Sequence, residues 1–139
     1  MYGWGKCQYL GMGEMLNCHF GNIFFICNPI PILKNIKKIS TGIKHTLALN
    51  EKGELLGWGN SEYFSESSSK FCKEPEVIRK FDGFFESGPE YTVLEEKEEL
   101  KIIGDRKNFK KGKYEVPNGK LVKVVGAQGI VMIMVDNTK

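Results

Sequence analysis

The sequence predicts an all-β protein assembled from about three copies of one sheet unit. Three observations carry this. Sixteen glycines against five prolines are spread along all 139 residues, which points to many tight turns between short strands. The longest apolar runs, such as 23–27 and 130–135, are strand-sized and far too short to cross a bilayer as a helix. Finally, the chain resembles itself at an offset of about 46 residues. With 41% hydrophobic and 12% aromatic residues, one domain of this length can build a core.

The repeat is clearest between KISTGIKHTLALNEKGELLGWGN (38–60) and FESGPEYTVLEEKEELKIIGDR (85–106). Gly42 falls on Gly88, and Gly59 falls on Gly104 with one residue lost in the turn between. Within the first copy, Thr46 and Ala48 alternate with Leu47 and Leu49 as a two-sided strand, residues 50–53 form the hairpin turn and 54–58 return. Gly57 and Gly59 leave room for close backbone approach around Trp58. A third, degenerate copy starts at Leu121, where Val124, Val125 and Gly126 repeat an apolar-x-Gly pattern and 130–135 supplies the next strand.

The third copy stops short of its Gly-Trp-Gly element, whereas MYGWGKCQYLGMG at the start matches LLGWGNSEYFSES from Leu55. A period near 46 falls in the range of one propeller blade, about 40–50 residues. The expectation is therefore a partial or minimal β-propeller of about three blades. Its units are 1–35 with a C-terminal partner strand, 36–83, 84–120, and 121–139 completed by 1–13. Residues 2–4 should pair with the strand at 130–135, closing an exposed edge. Because a closed ring needs about 4–8 blades, either two copies form a six-blade ring or another protein caps the arc.

TGIKHTLALNEKGELLGWGNSEYF resembles the repeat of the regulator of chromosome condensation family: apolar strand, Gly, two residues, His, Thr or Ser, Leu-Ala-Leu, a Gly turn, then Gly-Trp-Gly-Asn. The resemblance covers 36–64 best, then 1–13 and 84–106, and 121–139 faintly. NPIPILKNI and EPEVIRKF resemble the proline-led strand that crosses between that family's blades. In the second copy Tyr91 replaces His45, and Ile102 and Ile103 replace Gly57 and Trp58. The resemblance implies a binding scaffold acting through loops. In that family these serve nucleotide exchange on a small GTPase, chromatin contact and translation-related modification complexes. Exchange activity is not expected here, because the family's exchange surface spreads over a full ring of blades.

Neither catalysis nor a cofactor is signalled. His45, between a glycine turn and an apolar strand, reads as a buried hydrogen-bonding group, and its repeat partner Tyr91 keeps a polar-tipped aromatic without imidazole chemistry. Cys7, Cys18, His19 and Cys27 are zinc-ligand types at the wrong spacing, and with Cys72 they read as reduced thiols. GMGEM lacks the third glycine and the helix of a dinucleotide fingerprint, and no nucleophile-elbow, zinc-protease or P-loop string occurs.

Charge is where a partner shows. The net +3 says little, but 86–99 holds six acids against Lys97, and 101–123 holds eight bases against Asp105 and Glu115. In RKNFKKGKY, the bases Arg106, Lys107, Lys110, Lys111 and Lys113 interleave with Phe109 and Tyr114, a composition suited to phosphates and stacked bases. The competing reading is a solvated face neutralised by the acidic run. The segment 63–71 forms a second polar loop with aromatic flanks. The expected function is a non-catalytic interaction module that docks on a larger assembly, with a ribonucleoprotein such as the ribosome favoured. The alternative is a protein-only accessory subunit of an enzyme complex related to translation or tRNA modification. With no signal-peptide pattern and no long apolar run, the expected location is cytoplasmic or nuclear, cytoplasmic favoured.

Overall fold

The computed structural model describes residues 1–6, 9–11, 25–66, 70–104, 113–115, 120–127 and 130–136. They form two four-stranded antiparallel sheets flanked by two two-stranded ones. The first complete sheet runs β3 (Ile36–Thr41), β4 (His45–Asn50), β5 (Glu54–Asn60) and β6 (Phe71–Lys80) in chain order. The second runs β7 (Phe84–Ser87), β8 (Tyr91–Glu96), β9 (Glu99–Gly104) and β10 (Lys113–Glu115). Before them lies the pair β1 (Tyr2–Lys6) and β2 (Phe25–Pro31), and after them the hairpin β11 (Lys120–Ala127) and β12 (Ile130–Asp136). The first strands of successive sheets, β3, β7 and β11, lie against one another, as the inner strands of propeller blades do.

The repeat seen in the sequence is a repeat in space. His45 pairs with Gly59 and Tyr91 with Gly104, while Thr46 faces Trp58 as Thr92 faces Ile103. Gly59 and Gly104 adopt φ of 91° and 93°, a region costly for any residue with a Cβ, and at both positions a Cβ would strike the backbone of the preceding loop. The Gly42 N–H donates to the His45 carbonyl at 2.8 Å and that of Gly88 to Tyr91 at 2.9 Å, so each loop closes by the same bond.

The two hairpin turns differ as the one-residue offset requires. In the first sheet the Asn50 side-chain oxygen accepts from the Lys52 and Glu54 amides at 3.0 and 2.9 Å, and Gly53 takes φ 78°. The second sheet turns through Lys97 and Glu98 alone, at φ 55° and 66°. Positive φ at both central residues is the type I′ pattern, which favours Asn-Gly and here forces two β-carbons into a left-handed conformation.

The buried residues gather in two clusters where neighbouring sheets meet. Leu47, Leu55, Trp58, Phe64, Phe81, Phe85, Leu94 and Ile103 form one buried cluster; Tyr91, Val93, Leu100 and Val124 form a second, toward the C-terminal hairpin. The loop after β5 is less exposed than its composition implies, since Phe64 is buried and Ser61 Oγ accepts from the Lys70 amide at 2.9 Å.

The expected closure between residues 2–4 and 130–135 does not occur. Tyr2 pairs with Pro31 and Gly3 with Ile30, while β12 pairs along its length with β11. The two strands sit at opposite ends of an array with two complete sheets between them, and an arc this short cannot bend them together. The third copy is also re-registered. Ala127 pairs with Ile130 across a two-residue connection, in place of the glycine loop of the other copies.

Replacing Lys97 by Asn and Glu98 by Gly should raise stability by about 1 kcal/mol, since Asn tolerates the left-handed region better than Lys, Gly carries no β-carbon to strain, and the turn is kept. Urea unfolding checks this, and an unchanged midpoint would show that the turn is unstrained.

Candidate interaction site

The residues buried between the complete sheets are polar as well as apolar. Ser40 Oγ accepts from the Ser87 amide at 2.8 Å and donates to Glu86 Oε1, and the Ile43 amide donates to the Pro89 carbonyl at 2.8 Å. Lys38 donates to the Phe85 carbonyl with its ammonium 3.8 Å from the Phe84 ring centroid. Desolvation lowers the Lys38 pKa and the Glu86 charge opposes that shift. These contacts join equivalent strands of neighbouring units, so they set the spacing from sheet to sheet.

His45 belongs to this seam. It is 2% exposed, and its Nε2 lies 3.2 Å from Thr92 Oγ1. Burial pushes its pKa down from 6.5 to about 4, against a smaller opposing effect of the Tyr91 backbone. Tyr91, its equivalent, is 1% exposed in the next seam. Both side chains therefore hold one repeat against the following one, a structural role.

Of the predicted contact residues, Arg106, Lys107, Phe109, Lys110 and Lys111 lie outside the described residues. Lys113 and Tyr114 open β10, the outer strand of the second sheet, opposite Lys101 and Leu100, and Tyr114 is 38% exposed. The segment thus leaves β9 and returns on an edge strand. Three of the six acids expected to neutralise it have partners outside the segment. Glu86 accepts from Ser40, Glu96 pairs with Arg79 at 2.8 Å, and Glu95 accepts from the Glu98 amide at 3.3 Å. Lys101, at the foot of the segment, pairs with Glu66 at 2.7 Å.

Two cavities adjoin the seams. One of about 470 Å³ lies between the complete sheets over Phe64, Ile78, Leu94 and Ile103, with the Arg79–Glu96 and Lys101–Glu66 pairs at its mouth. The other, about 570 Å³, lies between β1–β2 and the first complete sheet and is lined by Tyr2, Leu10, Ile32, Ile39, Ile43 and Trp58. The Trp58 indole donates to the Tyr9 carbonyl at 3.1 Å across its floor. Composition did not reveal this groove. The repeat alignment contains the signal, because Ile39 stands where Phe85 stands in the next copy.

Among the described residues no group of three or more His, Cys, Asp and Glu side chains could hold a metal. Cys7, Cys18 and His19 lie outside them, Cys27 lies in β2, and Cys72 is buried with its thiol pKa raised, first by desolvation.

Comparison with known proteins agrees with the repeat. Residues 36–64 match the Regulator of chromosome condensation (RCC1) repeat. A stretch of 60 residues, 43% of the chain, is 45% identical to the Rho GTPase-activating protein gacGG of Dictyostelium discoideum. A stretch of 64 residues, 45% of the chain, is 36% identical to the Ultraviolet-B receptor UVR8 of Arabidopsis thaliana. The matched segments span 5% and 13% of those two proteins.

The depressed pKa of His45 makes stability depend on pH in a defined sense. The unfolded chain binds a proton near the ordinary 6.5 and the folded chain only near 4, so the contribution is complete above 6.5 and is lost as pH falls toward 4. The loss attributable to this residue should reach about 3 kcal/mol. His45→Gln should flatten the fall between pH 7 and 4 by that amount in urea titrations. Parallel curves for both proteins would refute it.

Proposed function

We propose that this chain, whose residues 36–64 match the Regulator of chromosome condensation (RCC1) repeat, is a non-catalytic interaction module that docks on a larger assembly through the basic segment 106–113. Repeats of this kind form protein-interaction modules. The buried polar groups described above, Ser40, His45 and Thr92, join one repeat to the next. That use is the mark of a scaffold.

The observation that carries the docking surface is the concentration of five bases in eight residues on a connection between β9 and the edge strand β10. Like charges crowded in one connection gain nothing from one another in folding, so an anionic partner is the natural counter-charge. Glu86, Glu95 and Glu96, three of the six acids of 86–99, bond to groups outside the basic segment, which leaves fewer of them for internal neutralisation. Phe109 and Tyr114 supply flat faces for stacking, so the favoured partner is a ribonucleoprotein such as the ribosome, met in the cytoplasm. The alternative, an accessory subunit of a translation-related enzyme complex, predicts binding indifferent to RNA.

A variant with Lys107, Lys110, Lys111 and Lys113 all changed to Gln decides the matter in a salt titration against ribosomes and a single-stranded RNA. Binding should weaken, and the log–log salt slope should fall by about 0.7–0.9 for each phosphate contact removed. Phe109→Ala should cost a further ~1–3 kcal/mol where a base stacks on it. Unchanged affinity at every salt concentration would eliminate the segment as the contact.

A further inference from the structure

Equivalent positions in the two complete sheets are buried to very different extents. Phe85 and Thr92, on the face of the second sheet that meets the first, are each 0% exposed. Their counterparts 46 residues earlier are Ile39 and Thr46. Ile39 is 49% exposed, and both line the groove beside β1–β2. Ile43, on the same rim, is 61% exposed. The difference follows from what stands in front. The second sheet faces β3 and β4, a first and second strand, whereas among the described residues the groove over the first sheet is lined from the other side by Tyr2 and Gly3 of β1 with Tyr9, Leu10 and Ile32. The Gly-Trp-Gly of β1 matches that of β5, so β1 is a third strand and β2 a fourth. The groove is the space that a first and second strand would fill.

At the other end of the array the complementary pair stands alone. The hairpin β11–β12 follows the second sheet as a first and second strand, with Val124 buried and Val131 and Ile133 packed against Tyr91, Val93 and Leu100. Its other face is uncovered, with Val122, Met132 and Met134 exposed by 47%, 65% and 53%. In both complete sheets the second strand pairs with a third, β4 with β5 and β8 with β9. Among the described residues β12 has no third strand beside it, and β1 has no second.

We propose that a second copy of this chain inserts its β11–β12 hairpin into the groove, with the free edge of β12 along the free edge of β1 and Met132 and Met134 covering Ile39 and Ile43. The contact continues the sheet-to-sheet packing already present between the first and second sheets, and it buries two exposed apolar faces against each other. It is heterologous, since one copy offers the hairpin and the other the groove. Two such contacts made reciprocally would give a ring of six sheets, within the range of about 4–8 that closed propellers use. The basic segment plays no part in it, so this assembly stands or falls independently of the anionic partner.

Light scattering coupled to size exclusion, run on the 139-residue chain from low to high micromolar, tests it. The expected result is a mass of two copies, or a longer head-to-tail series, at high concentration. Two variants damage one surface each: Ile39→Glu with Ile43→Glu in the groove, and Met132→Glu with Met134→Glu on the hairpin. Each alone should be monomeric with an unchanged circular dichroism spectrum, and their equimolar mixture should form a dimer, because the mixture retains one intact groove and one intact hairpin. If the glutamates prevent folding, Ile43→Ser and Met134→Ser, at positions more than half exposed, give the same cross-test with a smaller shift. A wild-type chain monomeric at every concentration, variants that associate like wild type, or a mixture that stays monomeric would each overturn the proposal.

Discussion

A twisted four-stranded sheet has two faces, and in this protein neither becomes core until another sheet covers it. That constraint organises the molecule. The seam between the complete sheets holds much of the larger apolar cluster together with Ser40, His45 and Thr92, which hydrogen-bond across it from one sheet to the other. Stability in such an array is a sum over neighbouring units, so the outermost faces are its weakest parts. The exposed methionines of the last hairpin and the apolar groove beside the first strands are the same feature at opposite ends.

The polar seam explains why the repeat keeps its punctuation while its core residues drift. Trp58 becomes Ile103 and His45 becomes Tyr91, yet Gly42 with Gly88 and Gly59 with Gly104 are retained, because a Cβ at any of these four would collide with an atom of its own repeat's loop or strand. Volume can be exchanged across a face if the neighbouring sheet adjusts. Backbone approach has no such latitude.

Much of this was legible in the residues. The offset of 46, the turn at 50–53 and the one-residue deletion in the second turn all correspond to observed pairings, since strand register and glycine geometry are local properties. The partner of β1 was not legible. GWGK states which kind of strand it is and leaves open which chain supplies the strand beside it. Hydrogen-bonded neighbours in an incomplete blade depend on how far the array bends, a global property. The re-registered hairpin at 127–130 was hidden for a different reason: Gly126 matches the repeat pattern, but a two-residue connection moves every later residue against its partner. The groove is absent from composition because the exposure of Ile39 depends on what stands in front of it, and only its alignment with the buried Phe85 points there. For the basic segment, sequence remains the source of the assignment, and the fold adds its place on an edge strand.

The comparison that tests this account most directly is the unfolding free energy of Phe85→Ala against that of Ile39→Ala, measured in urea on dilute protein. The two positions are equivalent in the repeat, and they differ in whether a preceding sheet covers them, 0% against 49% exposed. Coverage predicts a loss of about 3–5 kcal/mol for Phe85→Ala and about 1 kcal/mol or less for Ile39→Ala. Losses of similar size at both sites would contradict the claim that neighbouring sheets make the core.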